Sequence, residues 1–314
     1  MDIKHILAIL DPEHAPRQGA SRAARRAVDI AARTGARVTL AVFEDHQTIV
    51  ESGVLGDALT REALDLWRQE TESWLGRMKD GLESDGEVAL HVGGGHPLAD
   101  HVLKSIDEMQ ADLVIKDSHS ESFLSRALFT PLDWHLLRRC PVPLMLTKSD
   151  GRDGLARVAA AVDPFHERGK PAELDQDILA TAKSVAGWFG ADVHAVHACQ
   201  TQPLGAGSPI EGPSLQFEKV REEISKHHTR ALRELSEAAG IDAEHSHFID
   251  APARRAIPDF TRDKEVDLLV MGTVTRKGLT RLIMGSTAEA ILNDLGCDVL
   301  AIKPSGFAQA VKSS

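Results

Sequence analysis

The chain has 314 residues, 42% hydrophobic and 26% charged, a balance that suits a soluble globular protein of two-domain size and excludes disordered and fibrous classes. Its 47 acidic and 36 basic side chains leave a formal net charge of −11, a field that repels nucleic acid and anionic lipid at long range. No apolar run approaches the ~20 residues needed to span a bilayer, and the start MDIKHILAILDP has too short an apolar core and too polar a flank for a signal peptide, so a cytoplasmic protein is expected, with neither nucleic acid nor membrane as partner.

In chain order, the first half predicts a strand at HILAILD (5–11), a helix around Ser21 to Thr34, a strand at RVTLAVF (37–43) and a long helix from Leu59 to Leu82. A strand at 87–92, a short helix after Pro97, the strand DLVIK (112–116), a helix after Pro131 and the strand PLMLTK (143–148) complete it. These strands are nearly continuous apolar runs, as expected where helices cover both faces of a parallel sheet. The second half repeats the plan: ARVAAAVDP (156–164), a helix around 174–189, DVHAVHA (192–198) and a long helix from Ser214 to Ala239. Then come HSHFIDA (245–251), a helix after Pro252, DLLVMG (267–272), a helix from Thr287 and DVLAIKP (298–304).

Landmarks recur at a nearly fixed offset. Asp11-Pro12 returns 152 residues later as Asp163-Pro164, and Asp112 and Lys148 return 155 residues later as Asp267 and Lys303. So long a period with so little drift means a duplicated α/β domain rather than a solenoid of short repeats. The polar, glycine-bearing KSDGRDGLA (148–156) separates a first domain, 1–149, from a second, 155–305. Two similar domains on so short a tether should pair within the chain, leaving oligomeric state open between that intramolecular pairing and a homodimer.

Open parallel sheets bind ligands outside the carboxyl ends of their strands, where the strand order reverses. Three segments of the second half converge there. Asp163 follows the first strand and could accept from a base amino group or a ribose hydroxyl, and the end of the second strand near His197 offers backbone groups to the edge of a base. The third segment runs from Met271 and Gly272 through Thr275 and Gly278 to Gly285, Ser286 and Thr287, where backbone amides and hydroxyls at a helix start would face an anion. Plainer readings stand beside these. Gly272 could simply end a strand, Ser286 or Thr287 with Glu289 could simply cap a helix, and Asp163 before Pro164 could simply start a turn.

Two histidine pairs invite a metal reading, His197 with Cys199 and His245 with His247, since residues two apart share a strand face. Zinc needs more ligands than either pair supplies, and surface or core histidines account for them more simply. The lone cysteines Cys140, Cys199 and Cys297 have no CxxC spacing and fit a reducing compartment. GGGHP (93–97) reads as a turn or as a ligand loop at the sheet edge.

The duplicated plan, the Asp after each first strand, and the spacing Gly272-x2-Thr275-x9-Gly285-Ser286 resemble the universal stress protein family, whose nucleotide-binding members carry G-x2-G-x9-G-(S/T). FTPLDWHLLRRCPVP (129–143) is similar to the first domain of the tandem, E-type members, in which that domain has no glycine motif. The resemblance implies two Rossmann-like domains of the adenine nucleotide alpha hydrolase-like type, each with a five-stranded parallel sheet. It further implies a stress-response protein that binds ATP or a related adenine nucleotide in its second domain, with Mg²⁺ and slow hydrolysis as an extension. The first domain, with Asp117, Ser120 and Thr130 at the matching positions, Pro131 removing an amide and Glu121 adding charge, should not hold a triphosphate. No acid–base or nucleophile–base pair stands out at motif spacing, so at most a weak ATPase is expected. A nucleotide-independent scaffold, or a stress protein holding another small molecule, remains the alternative.

Thr275 stands where the motif has its second glycine. If the loop keeps a phosphate-binding shape with a strained residue there, Thr275→Gly should tighten ATP binding roughly tenfold, since such strain costs about 1–3 kcal/mol. If the hydroxyl itself reaches a phosphate, the same change should weaken binding while Thr275→Ser is nearly neutral. Calorimetric titration separates the two, and no change in either variant would remove this loop from the site.

Overall fold

The computed structural model describes residues 1–12, 20–45, 57–84, 86–118, 129–148, 154–165, 173–201, 215–273, 284–304 and 307. The chain divides into two compact units, Met1–Gly151 with Gly306–Ser314 and Arg152–Ser305. The first holds β1 (His5–Ile9), α1 (Arg22–Thr34), β2 (Arg37–Glu44), α2 (Asp57–Asp80), β3 (Val88–Gly94), α3 (Leu98–Glu108), β4 (Leu113–Ser118), α4 (Pro131–Arg139) and β5 (Leu144–Lys148). Its strands pair in parallel in the order β3-β2-β1-β4-β5.

The second unit repeats this with β6 (Arg157–Ala161), α5 (Glu173–Phe189), β7 (Asp192–Ala198), α6 (Leu215–Ala238), β8 (Ser246–Ile249), α7 (Ala253–Asp263), β9 (Leu268–Gly272), α8 (Ser286–Asp294) and β10 (Asp298–Ile302). Parallel pairing in the order β8-β7-β6-β9-β10 makes the same five-stranded sheet. Among the described residues the one element not anticipated is a turn of 3₁₀ helix, Ala243–His245, ahead of β8.

Burial explains why the apolar runs become strands. Every residue of β1, β4, β5, β9 and β10 is buried, as two-sided helix cover requires. Helix ends are set locally. The Ser21 hydroxyl accepts from the Ala24 amide at 3.1 Å to start α1, and Gly35, at φ +74°, closes it with an amide bond to the Ala31 carbonyl at 2.8 Å.

The recurring aspartates Asp112 and Asp267 have one shared job. Asp112 Oδ2 accepts from the amides of Lys4 and His5 at 2.8 and 3.0 Å, and Asp267 Oδ2 accepts from those of Ala156 and Arg157 at 2.7 and 2.9 Å. Each carboxylate ties the start of a domain's first strand to its fourth, at the amino edge of the sheet and away from its carboxyl edge.

On one face of β7, His194 Nδ1 lies 3.0 Å from His247 Nε2, with the His245 ring edge-on to His194 and Phe260 against His247. Burial holds the His247 ring neutral, its pKa pushed down to about 4, and the neighbouring His194, Lys264 and His245 add to that. His194 is lowered too, first by burial and then by His245. A folded-state pKa below the unfolded value means that stability is complete above about pH 6.5 and is lost as pH falls toward 4. Urea unfolding between those pH values should therefore show a decline that His247→Gln flattens, by on the order of 1 kcal/mol once solvent screening of these half-buried rings is allowed for.

Candidate functional site

In the second domain the strand order reverses between β6 and β9, so the crevice at their carboxyl ends is the expected ligand position. Asp163 lies two residues beyond β6. Its Oδ1 is buried and has no hydrogen-bond partner among the described residues. Such an oxygen is costly unless a donor arrives. The Asp163 amide donates to Asp175 Oδ1 at 3.1 Å, which fixes the turn that presents the carboxylate. Asp175, 1% exposed on α5, escaped the sequence reading; its signal was a single acid at a position of the helix otherwise facing the core.

Across the crevice, α8 starts at the same edge, because it leads from the end of β9 back to the start of the parallel β10. Gly285 is its N-cap at φ −68° and ψ 142°, ordinary extended geometry that any residue adopts. A Cβ added at Gly285 would meet nothing within 4 Å. The glycine therefore leaves open space in front of the first-turn amides, with exposed Ser286 and half-buried Thr287 behind it.

Gly272 behaves differently. A Cβ there would come within 2.7 Å of Leu174 Cδ2 and 3.2 Å of Ile178 Cδ1, so this glycine lets α5 close on β9. Met271 beside it is buried and pairs with Ala161 on β6. Thr273 next along is held by Ile302 and by Lys303 Nζ at 2.5 Å from its hydroxyl. Thr275 and Gly278 lie outside the described residues.

The His197 side chain is committed elsewhere. Nδ1 lies 3.1 Å from the Val162 carbonyl and Nε2 lies 2.8 Å from Nδ1 of His228 on α6, with the two rings stacked 5.1 Å apart. Phe165 packs on His228 at 4.3 Å, anchoring the chain just after Asp163-Pro164. The structure thus joins His197 to His228 rather than to Cys199, and hydrogen-bonds His247 to His194 rather than to His245, which sits in the 3₁₀ turn before β8. Among the described residues the group that could hold a metal is Asp242, Glu244 and His245, whose two acids are exposed.

At the matching edge of the first domain, Asp117 takes the place of Gly272. Its Oδ1 accepts from the Ala23 amide in the first turn of α1 at 2.8 Å and from the Thr147 hydroxyl at 2.7 Å. Lys116, where the second domain has Met271, forms a buried ion pair of 2.8 Å with Asp133. Thr130 and Asp133 cap α4 reciprocally, so the helix start that would face a phosphate is closed by its own side chains. Ser120 and Glu121 lie outside the described residues.

Residues 2–148 and 157–303 each match the model of the universal stress protein family. The chain is 26% identical to the universal stress protein E homolog of Haemophilus influenzae over 97% of its length and 99% of that protein's. It is 27% identical to universal stress protein E of Escherichia coli K12, covering 98% and 96%. Among solved structures, the functionally unknown protein PA1789 of Pseudomonas aeruginosa PAO1 superposes with a TM-score of 0.72 at 26% identity, covering 99% of this chain and 96% of that one.

The two glycines can be told apart by substitution. Gly272→Ala should destabilise the second domain by about 1–3 kcal/mol, because a packed Leu174–Ile178 surface resists an added methyl. Gly285→Ala should leave thermal unfolding unchanged. Equal losses would mean that Gly272 is not a packing residue.

Proposed function

Because the chain belongs to the universal stress protein family, we propose that its second domain binds ATP or a related adenine nucleotide in the crevice between β6 and β9. Family membership supports a stress-response role, and among the described residues no helix is long and apolar enough to cross a membrane, in keeping with a cytoplasmic setting. The observation that carries the nucleotide reading is the buried Oδ1 of Asp163, which has no partner among the described residues and needs a donor that a base amino group or a ribose hydroxyl would meet.

The phosphates would lie at the start of α8, over the space that Gly285 leaves open, with Ser286 and Thr287 supplying amides and hydroxyls. Backbone at the end of β7 would meet the base edge, since the His197 ring is engaged with His228. Asp163, Gly285, Ser286 and Thr287 fit a nucleotide as donor and acceptor types. Mg²⁺, if bound with the triphosphate, would supply charge neutralisation and support slow hydrolysis. The competing reading, a scaffold without nucleotide, draws on Gly272, whose missing side chain is accounted for by Leu174 and Ile178.

Isothermal titration of the whole chain with ATP tests the proposal. Binding should weaken about tenfold or more in Asp163→Ala, through the lost hydrogen bond to a charged acceptor, and should vanish in Gly285→Leu. Thr130→Ala in the first domain should leave it unchanged. No ATP binding by the wild-type chain, or equal losses from all three variants, would refute the assignment.

A further inference from the structure

Two histidines aim the carboxylate of Asp163 from outside the crevice. The peptide plane leading into Asp163 is set by the Val162 carbonyl, which lies 3.1 Å from Nδ1 of His197 on β7. A carbonyl only accepts, so Nδ1 carries the proton, and the Nε2 of a neutral ring is then left as an acceptor. His228 Nδ1 on α6, 2.8 Å from that Nε2, therefore donates. The direction of every bond in the chain from His228 through His197 to Val162 follows from the one group that cannot donate.

On the other side of Asp163, Phe165 rests on the same His228 ring, with centroids 4.3 Å apart. Phe248 of β8 packs against both imidazoles, 5.4 Å from His228 and 5.7 Å from His197. His197 and His228 are 4% and 7% exposed, so neither can readily trade their shared bond for water. Apolar rings would fill this space without burying polar atoms. What the imidazoles add is direction: they fix the backbone just before Asp163, while the His228 ring backs the residue two places after it.

We propose that His228 is a positioning residue for Asp163, acting through the His197 tautomer on the Val162 carbonyl and through its ring on Phe165, so that the buried Oδ1 points into the crevice. The role rests on the nucleotide reading of that crevice.

Long-range proton–nitrogen NMR of the histidine rings in the unliganded full chain, at about pH 8 where imidazoles are neutral, should find His197 in the Nδ1–H form. In calorimetric titration of the full chain with ATP, His228→Phe, which keeps a ring against Phe165 but loses the donor, should weaken binding about tenfold. His228→Asn, whose side-chain amide can donate where Nδ1–H stood, should stay within about threefold of wild type. Packing alone would rank the two the other way. In an Asp163→Ala background His228→Phe should cost no further affinity, because the oxygen it aims is gone. Thermal unfolding confirms that each variant is folded, and the tautomer is read on the wild-type chain whether or not they are. An Nε2–H form of His197, Phe tolerated as well as Asn, or an additive loss in the double variant overturns the positioning role while the nucleotide assignment stands. A wild-type chain that binds no ATP removes both.

Discussion

The contact between the end of each fourth strand and the helix that follows the first strand governs what each sheet edge can do. In the second domain that contact is apolar: α5 presses Leu174 and Ile178 onto Gly272, a position that has no room for a Cβ. In the first domain the same position is Asp117, and the approach is made through polar atoms. A carboxylate oxygen takes the amide of Ala23 at the start of α1 and the hydroxyl of Thr147 on β5. A helix start satisfied by an internal carboxylate has less to offer an outside anion.

The differences between the two edges follow from that exchange. With Asp117 buried, Lys116 turns to Asp133, and Asp133 in turn closes the amide end of α4 with Thr130. The loss of glycines in the first domain is therefore a replacement by a connected set of charged and capping groups. Lys116, Asp117 and Asp133 are buried and each member is partnered, which makes the set resistant to piecemeal change. In the second domain α8 starts with a glycine and no side-chain cap, and Asp163 keeps an oxygen in reserve.

Strands were the most legible feature of the sequence, because burial on both faces demands uninterrupted apolar runs and little else produces them. The repeat was legible too, although one of its strongest markers, Asp112 with Asp267, proves to be a latch at the amino edge. Composition alone cannot tell a latch from a candidate ligand residue, since both are acids beside a strand. The reason for Gly272 lay nearly a hundred residues upstream, in Leu174 and Ile178, and no local pattern points there. His197 and His228 meet because β7 and α6 cross at one register, and spacing within a strand suggested Cys199 instead. Asp163 was identifiable at the switch point, but its need for a donor emerged only once burial was known.

Joining the two domains covalently has a consequence for how such a protein can change. A single-domain protein that pairs with its own copy must carry every substitution twice, so a residue that fills one pocket fills both. Here Asp117 and Gly272 are separate codons, and the chain has spent that freedom: one edge is sealed by a carboxylate while the other keeps its glycine. The two edges are also made in a strict one-to-one ratio in every molecule, whatever the amount synthesised. A cell that needed both would need no second gene and no assembly step to hold them in balance.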